Sequence, residues 1–474
     1  MKHVILGAGP AGVIAAETLR KHAPKDEIVI IGDEPEAPYS RMAIPYLLIG
    51  KVGEEGTHLR HAADHFAQLR IKVIRGVRAT SVDIAKRCVL LDDGGSVPFD
   101  KLLIATGSSP ASPPIPGING AGVHACWTLA DARAIMKLAQ PGARVLQMGA
   151  GFIGCIIMES LAMRGVKLSV VEMGDRMVPR MMGPTAGGMI KDWCEKKGVA
   201  VYTGARVEAI DRPAAAPAPA AAPVVAPPAP EPGLLHRLAQ AVGLASAPPP
   251  PAPAPVAPPV VTAPTAPMSV RLSTGQRLDA DLVISATGVK PNIGFLAHSG
   301  ITCLVGVLTD EHLQTNVPGI YAAGDCAEAF DKVSGTTIVS AIQPNAAEQA
   351  RVAALNMAGQ VCELKGVTQI NVLDTLGLIS ASFGEWDGVP GGEQVELVDR
   401  AAGKLLSLQF AGDLLVGCNA VGWTEHVGVM RGLVEGQVRL SGDWKQRLMA
   451  DPTLLMEAYL ANAQGQQTMA HVRG

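Results

Sequence analysis

One pattern occurs twice in this 474-residue chain, and few folds can accommodate that. The first copy runs VILGAGPAGVIAAETL, then IVIIGDE, and closes on FDKLLIATG. The second runs VLQMGAGFIGCIIMESL, then LSVVEMGDR, and closes on ADLVISATG. Each copy reads as strand, glycine turn, helix, strand, meander and strand. Two such βαβ units side by side predict an α/β chain with two nested Rossmann-like domains, each able to hold a dinucleotide.

The repeat also exposes an insertion. The first meander turns through Ile84-Ala85-Lys86-Arg87, whereas in the second the matching strands RVEAID and SVRLSTG are separated by residues 213–267. Half of the chain's 36 prolines fall in that segment, mostly alternating with alanine. Such a composition builds no core and predicts a semi-rigid, extended tether. Within it, residues 231–244 place Leu234, Leu235, Leu238 and Val242 on one helical face, with His236, Arg237 and Gln240 elsewhere. A short amphipathic helix on a stiff leash is the pattern of a docking motif for a partner. Folding back on the parent domain is the plain alternative.

The glycines carry the chemistry. Gly7-x-Gly9-x-x-Gly12 follows the strand HVIL and opens a helix. In this arrangement Gly7 permits a tight turn, Gly9 lets backbone approach a pyrophosphate, and Gly12 lets helix pack on strand, while the helix N-terminus offers N–H groups to the phosphates. About twenty residues on, the strand IVII ends at Gly32-Asp33-Glu34, and a carboxylate there accepts ribose hydroxyls. Register leaves both Asp33 and Glu34 open, with Glu34 preferred. The second motif, Gly149-x-Gly151-x-x-Gly154, follows RVLQM, and its strand LSVVE ends at Glu172. An acid at that place pairs with a ribose hydroxyl and repels a 2′-phosphate, which favours NADH over NADPH, although nearby Arg176 keeps NADPH in view.

Composition narrows the setting. A net charge of −3 gives no sign of a nucleic-acid surface or a polybasic membrane patch. The apolar start VILGAGPAGVIAA resembles a leader, but cleavage would destroy the first glycine motif, and no apolar run approaches the roughly 20 residues of a membrane helix. The 8 cysteines are dispersed, with no CxxC or CxxxxC spacing, and predict neither a metal site nor a local redox disulfide. A soluble protein of a reducing cytoplasm is expected. His58, His61 and His65 cluster without further ligands and read as a surface helix rather than a metal site.

Taken together, the two glycine motifs, Ala105-Thr106-Gly107, Ala286-Thr287-Gly288 and the late stretch TNVPGIYAAGDCAE resemble the pyridine-nucleotide flavoprotein reductases of the glutathione-reductase-like fold. The resemblance spans nearly the whole chain outside the insertion. It implies FAD in the first copy and NADH in the second. It assigns Asp325, with Gly324, to the flavin ribityl chain, and Gln343 and Pro344 to the segment covering the flavin ring. PYSRMAIPYLL is similar to the ferredoxin, rubredoxin and nitrite reductase branch, which implies Arg41 beside the FAD pyrophosphate. The FAD domain would comprise residues 1–112 and 280–360, the NADH domain 113–279, and a C-terminal α+β interface domain 361–474, which in this branch often makes homodimers.

Three departures stand out. The CxxxxC redox disulfide of the glutathione reductases is absent. Met42 stands where the coenzyme A-disulfide reductases and NADH peroxidases carry a cysteine. Ile156 stands where related reductases carry a glutamate close to the nicotinamide. Without a sulfur relay, electrons are expected to leave FAD directly for a separate acceptor, a small iron protein or an associated reductase subunit. An NADH oxidase using oxygen, and an NADH-sensing flavoprotein that docks through the tethered helix, are the alternatives. No catalytic side chain is singled out by the sequence.

Overall fold

The computed structural model describes residues 1–212, 267–367 and 369–462; the helix expected over 231–244 lies outside them. The two copies form two sheets of the same design. The first holds five parallel strands in the order Ile320–Ala322, Lys101–Ile104, Lys2–Leu6, Glu27–Gly32 and Ile71–Arg75. The second holds five parallel strands in the order Ala200–Thr203, Lys167–Glu172, Arg144–Met148, Leu282–Ser285 and Val123–His124, which mirrors the first when listed in reverse. In each sheet the strand before the glycine turn is central. Helices cover one face of each sheet and a three-stranded meander covers the other, so strand residues such as Val4, Ile5, Leu6, Leu102, Leu103 and Ile104 are fully buried and read as continuous apolar runs rather than alternating ones.

The strand Leu282–Ser285 pairs with Arg144–Met148 in the second sheet. That corrects the boundary expected at residue 280: the second unit runs on through its own closing strand, because that strand must pair beside its glycine strand just as Lys101–Ile104 does in the first copy. Each unit also carries an antiparallel three-stranded meander, Ala79–Asp83 with Cys88–Leu91 and Ser96–Pro98, and Val207–Asp211 with Met268–Leu272 and Arg277–Ala280. Asp211 and Ser269 are directly paired, so the insertion leaves and re-enters at the tip of a hairpin.

The helix Gln343–Met357 packs on the first glycine helix, Pro10–His22, through small residues: Ala11, Ala15 and Ala16 on one side, Ala346, Ala350 and Ala353 on the other. Short side chains let the two backbones approach closely. C-terminal to this, a five-stranded antiparallel sheet orders Ile370–Thr375, Leu378–Gly384, Leu414–Val421, Lys404–Ala411 and Glu393–Asp399. Its buried Phe383, Phe410 and Leu408 meet Met430, Leu433 and Leu448 from helices Val427–Glu435 and Trp444–Ala450. The chain is thus α/β, two nested dinucleotide-binding folds followed by an α+β lobe.

Candidate functional site

The six motif glycines behave as two matched triplets. A Cβ on Gly7 would collide with the carbonyl oxygen of Ala105, and one on Gly149 with that of Ala286. A Cβ on Gly12 would strike the carbonyl oxygen of Gly7, and one on Gly154 would lie 2.6 Å from that of Gly149. By contrast, nothing lies within 4 Å of a Cβ on Gly9 or Gly151. The outer glycines therefore serve close backbone packing, and the middle ones keep a space clear above a helix N-terminus, where phosphates are favoured.

The first cleft lies at the carboxyl edge of the first sheet, where such folds bind ligands. A cavity of about 350 Å³ is lined by Asp33, Glu34, Arg41, Arg78, Thr106, Trp127, Asp131 and Asn292 among others. Glu34 accepts hydrogen bonds from the Tyr39 hydroxyl and Arg41 Nη2, both at 2.7 Å, while the more exposed Asp33 faces Arg78 at 3.4 Å. Burial works against the Arg41 charge, but the Glu34 carboxylate outweighs it and raises the guanidinium pKa. The same guanidinium lies over the Trp127 ring, 5.0 Å from its centroid. Tyr39 belongs to the PYSRMAIPYLL stretch, whereas Trp127 and Asp131 lie in no motif and carry no signal in the sequence.

Behind the cavity, Asp325 accepts a hydrogen bond from Ser108 Oγ at 2.8 Å, and burial pushes its pKa up. Gly324, at φ +81°, donates its N–H to Gln349 Oε1 at 2.7 Å, while the buried Nε2 of Gln349 has no partner in the described protein. Gln343 and Pro344 are exposed at the start of their helix, and Ser40 Oγ donates to Gln343 Oε1 at 3.3 Å. The Ala-Thr-Gly motifs meet each other: Ser108–Pro110 and Val289–Pro291 form an antiparallel pair just beyond Gly107 and Gly288. Thr106 Oγ1 donates to the Asn292 carbonyl at 2.8 Å, and Asn292 Nδ2 donates back to the Thr106 carbonyl at 2.9 Å.

In the second cleft Glu172 is buried, and its carboxylate accepts from the backbone N–H of Ala150 at 2.7 Å and of Gly174 at 2.8 Å. The sequence predicts an acid facing a ribose; in the structure this acid ties the phosphate loop to the end of the next strand. The pairing register equates Glu172 with Gly32, since Leu6 pairs Ile31 as Met148 pairs Val171. The acids of the first copy therefore come one and two residues later. Arg176 is spoken for by the carbonyl of Met182 at 2.9 Å, that of Pro179 at 3.3 Å and the Asp175 carboxylate at 2.8 Å. Ile156 is half-buried against the core around Cys155 and Met158.

All 8 cysteines are free, and burial pushes the Cys126 thiol up to about 12 and those of Cys155 and Cys418 higher. Thiols so held are poor thiolates. His65 Nε2 lies 2.8 Å from Glu17, which also binds Arg60, and so belongs to an ion-pair cluster. Two clear spaces at helix N-termini, carboxylates at the ends of the following strands and an unpartnered buried amide beside Gly324 fit two dinucleotides.

The chain matches the family model for pyridine nucleotide-disulphide oxidoreductases over residues 1–220 and 260–354. It is 29% identical over 454 residues to the NADH-dependent phenylglyoxylate dehydrogenase subunit epsilon of Aromatoleum evansii, covering 95% of each chain. It is 30% identical over 369 residues to an NADH oxidase of Methanocaldococcus jannaschii, covering 76% of this chain and 70% of that one. Among solved structures, the covalent putidaredoxin reductase–putidaredoxin complex matches with a TM-score of 0.79 at 22% identity, covering 97% of this chain and 98% of that one. The chain belongs to the pyridine nucleotide-disulphide oxidoreductase family, in its ferredoxin and nitrite reductase branch, and is an FAD-dependent oxidoreductase that uses NADH.

Proposed function

We propose that the chain moves electrons from NADH, through FAD, to a separate protein acceptor, a small iron protein or an associated oxidoreductase subunit. When bound, FAD supplies acceptance of a hydride and stepwise release of electrons. The observation that carries the reading is the pair of matched glycine clefts with no cysteine pair between them. Gly7, Gly9, Gly12, Glu34 and Arg41, with Thr106, Gly324 and Asp325, would hold FAD, Glu34 taking its ribose and Asp325 its ribityl chain. Gly149, Gly151, Gly154, Glu172 and Gly288 would hold NADH. The backbone ties on Glu172, and an Arg176 already bonded to two carbonyls, keep that arginine from a 2′-phosphate at the end of the strand. That supports NADH over NADPH.

The partner class draws support from the relatives: one is named a subunit of a dehydrogenase, and a solved neighbour is a putidaredoxin reductase in covalent complex with putidaredoxin. No helix among the described residues is long and apolar enough to cross a membrane. A cytoplasmic location is supported by eight unpaired cysteines. A homodimer through the C-terminal lobe is supported by the exposed edge strand Glu393–Asp399. We further propose that the insertion docks a partner.

The test is anaerobic titration of the purified protein with NADH, followed by addition of a ferredoxin or a one-electron dye. Bleaching of the flavin band by about one equivalent of NADH, with rapid reoxidation by the acceptor, is expected; a flavin that NADH leaves oxidised sinks the proposal. A second reading, direct reduction of oxygen, is favoured by the relative named NADH oxidase. Oxygen uptake that keeps pace with dye reduction would select it.

A further inference from the structure

The segment between Glu172 and the helix Pro184–Lys196 does more than connect them. It crosses the mouth of the second cleft as a strap. Val178 donates its N–H to the carbonyl of Ala150, inside the phosphate loop, at 2.9 Å. To do so it adopts φ +49° while fully buried, a left-handed conformation that a β-branched residue seldom takes. Backbone strain of this kind persists only where the surroundings enforce it, and it gathers at ligand sites.

The enforcement is visible. Met181 and Met182 both donate to the Val178 carbonyl at 3.0 Å. Arg176 holds the carbonyls of Met182 and Pro179. From the C-terminal sheet, buried Asn419 donates through Nδ2 to the Met181 carbonyl at 2.9 Å and accepts through Oδ1 from the Gly183 N–H at 2.8 Å. One cationic side chain of the strap is left free. Arg180 is exposed and has no hydrogen-bond or ion-pair partner among the described residues. Its Nη1 lies 3.8 Å from where a Cβ on Gly288 would be, and nothing else comes within 4 Å of that point. Gly288, at φ +110°, disfavours any side chain there.

The strand order fixes what passes beneath. Glu172 ends the strand on one side of Arg144–Met148, and Gly288 follows the strand on the other side. A dinucleotide with its adenosine ribose at Glu172 and its pyrophosphate over Gly151 must run on toward Gly288. We propose that Arg180 is a positioning residue that donates hydrogen bonds to the pyrophosphate of NADH, at the phosphate nearer the nicotinamide, from a strap held rigid by Val178 and Asn419. An unpaired guanidinium over a bare glycine at the end of a phosphate path is well suited to that anion. This inference rests on the reading of the second cleft as the NADH site.

Calorimetric binding of ADP-ribose and of NAD⁺ to the oxidised, flavin-loaded protein tests it. Charge-assisted bonds of this class correspond to about tenfold or more in affinity. Arg180→Gln is expected to weaken both ligands by that factor equally, to flatten the salt dependence of binding, and to leave the flavin spectrum unchanged. In turnover it should raise KM for NADH and leave kcat within about twofold. Arg180→Lys, which keeps the charge, should recover part of the loss. Lys290→Ala, which removes an exposed cation two residues past Gly288, should change neither affinity. Equal ADP-ribose affinity in wild type and Arg180→Gln overturns the assignment, as does an equal loss in Lys290→Ala, which would mean a diffuse field. Wild-type protein that binds no ADP-ribose would overturn the reading of the cleft itself.

Discussion

Replacing Glu172 with alanine distinguishes a ribose ligand from a structural tie. If the acid did no more than accept ribose hydroxyls and repel a 2′-phosphate, its removal would ease NADPH into the cleft. The structure argues for a different result. The carboxylate is 9% exposed and accepts two backbone N–H groups, from Ala150 at 2.7 Å and Gly174 at 2.8 Å. Alanine leaves both donors without an acceptor. A bond from N–H to a charged acceptor contributes about 1.5–3 kcal/mol net. If water reaches one donor, the other alone sets a floor of about 1.5 kcal/mol, roughly tenfold in affinity for a ligand that needs the loop in place. Because Arg176 is bound to the Met182 and Pro179 carbonyls, no cation is released to meet a 2′-phosphate. Glu172→Ala should therefore raise KM for NADH at least about tenfold while kcat/KM for NADPH stays at or below the wild-type value. Steady-state kinetics with both coenzymes, beside visible spectra to confirm flavin content, would decide it. A variant that keeps its NADH KM within about twofold and gains on NADPH would refute the reasoning.

Three further outcomes are expected. Gly12→Ala drives a methyl into the carbonyl oxygen of Gly7 and should give protein purified without its yellow flavin band; stoichiometric flavin in that variant would contradict the packing argument. Asp131 is partly buried, which opposes its charge, but the His124 ring 3.7 Å away and hydrogen bonds from Thr128 and Trp127 outweigh burial and hold its pKa at about 2. A depressed carboxylate contributes stability that is complete above its unfolded pKa near 4 and is lost as pH falls from about 4 to 2, so Asp131→Asn should cost roughly 2 kcal/mol at pH 7 and almost nothing at pH 2, read by urea unfolding. Finally, Asp211 and Ser269 are direct partners across the hairpin, so joining Arg212 to Met268 by an Asn-Gly turn should preserve the flavin spectrum and dye reduction, and loss of either would show that the insertion supports the fold.

Much of the frame was legible because its signals are local. Glycines that must avoid collisions recur at fixed spacing, and buried parallel strands write themselves as apolar runs. What escaped was whatever depends on register or on distant packing. Register left both Asp33 and Glu34 open in the chain, with Glu34 preferred, and only the structure shows Glu34 meeting Tyr39 and Arg41. The boundary at residue 280 fell one strand short because composition does not mark which sheet a strand joins. Trp127, in neither motif nor period, reaches the first cleft through the cation of Arg41, 86 positions earlier, and Asn419 reaches the second from another lobe. The strained turn at Val178 leaves no trace in sequence, since valine is an unlikely residue for it.

Asn419 has a consequence for regulation. Through its two hydrogen bonds a strand of the C-terminal sheet grips the strap over the second cleft. A protein seated on that sheet and displacing the strand Leu414–Val421 would alter coenzyme affinity without touching the coenzyme. Linkage is reciprocal, so NADH would change the affinity for that protein by the same factor. An acceptor docked on this lobe could thus be taken up when reducing equivalents are at hand and released once they are spent, with a single amide carrying the message.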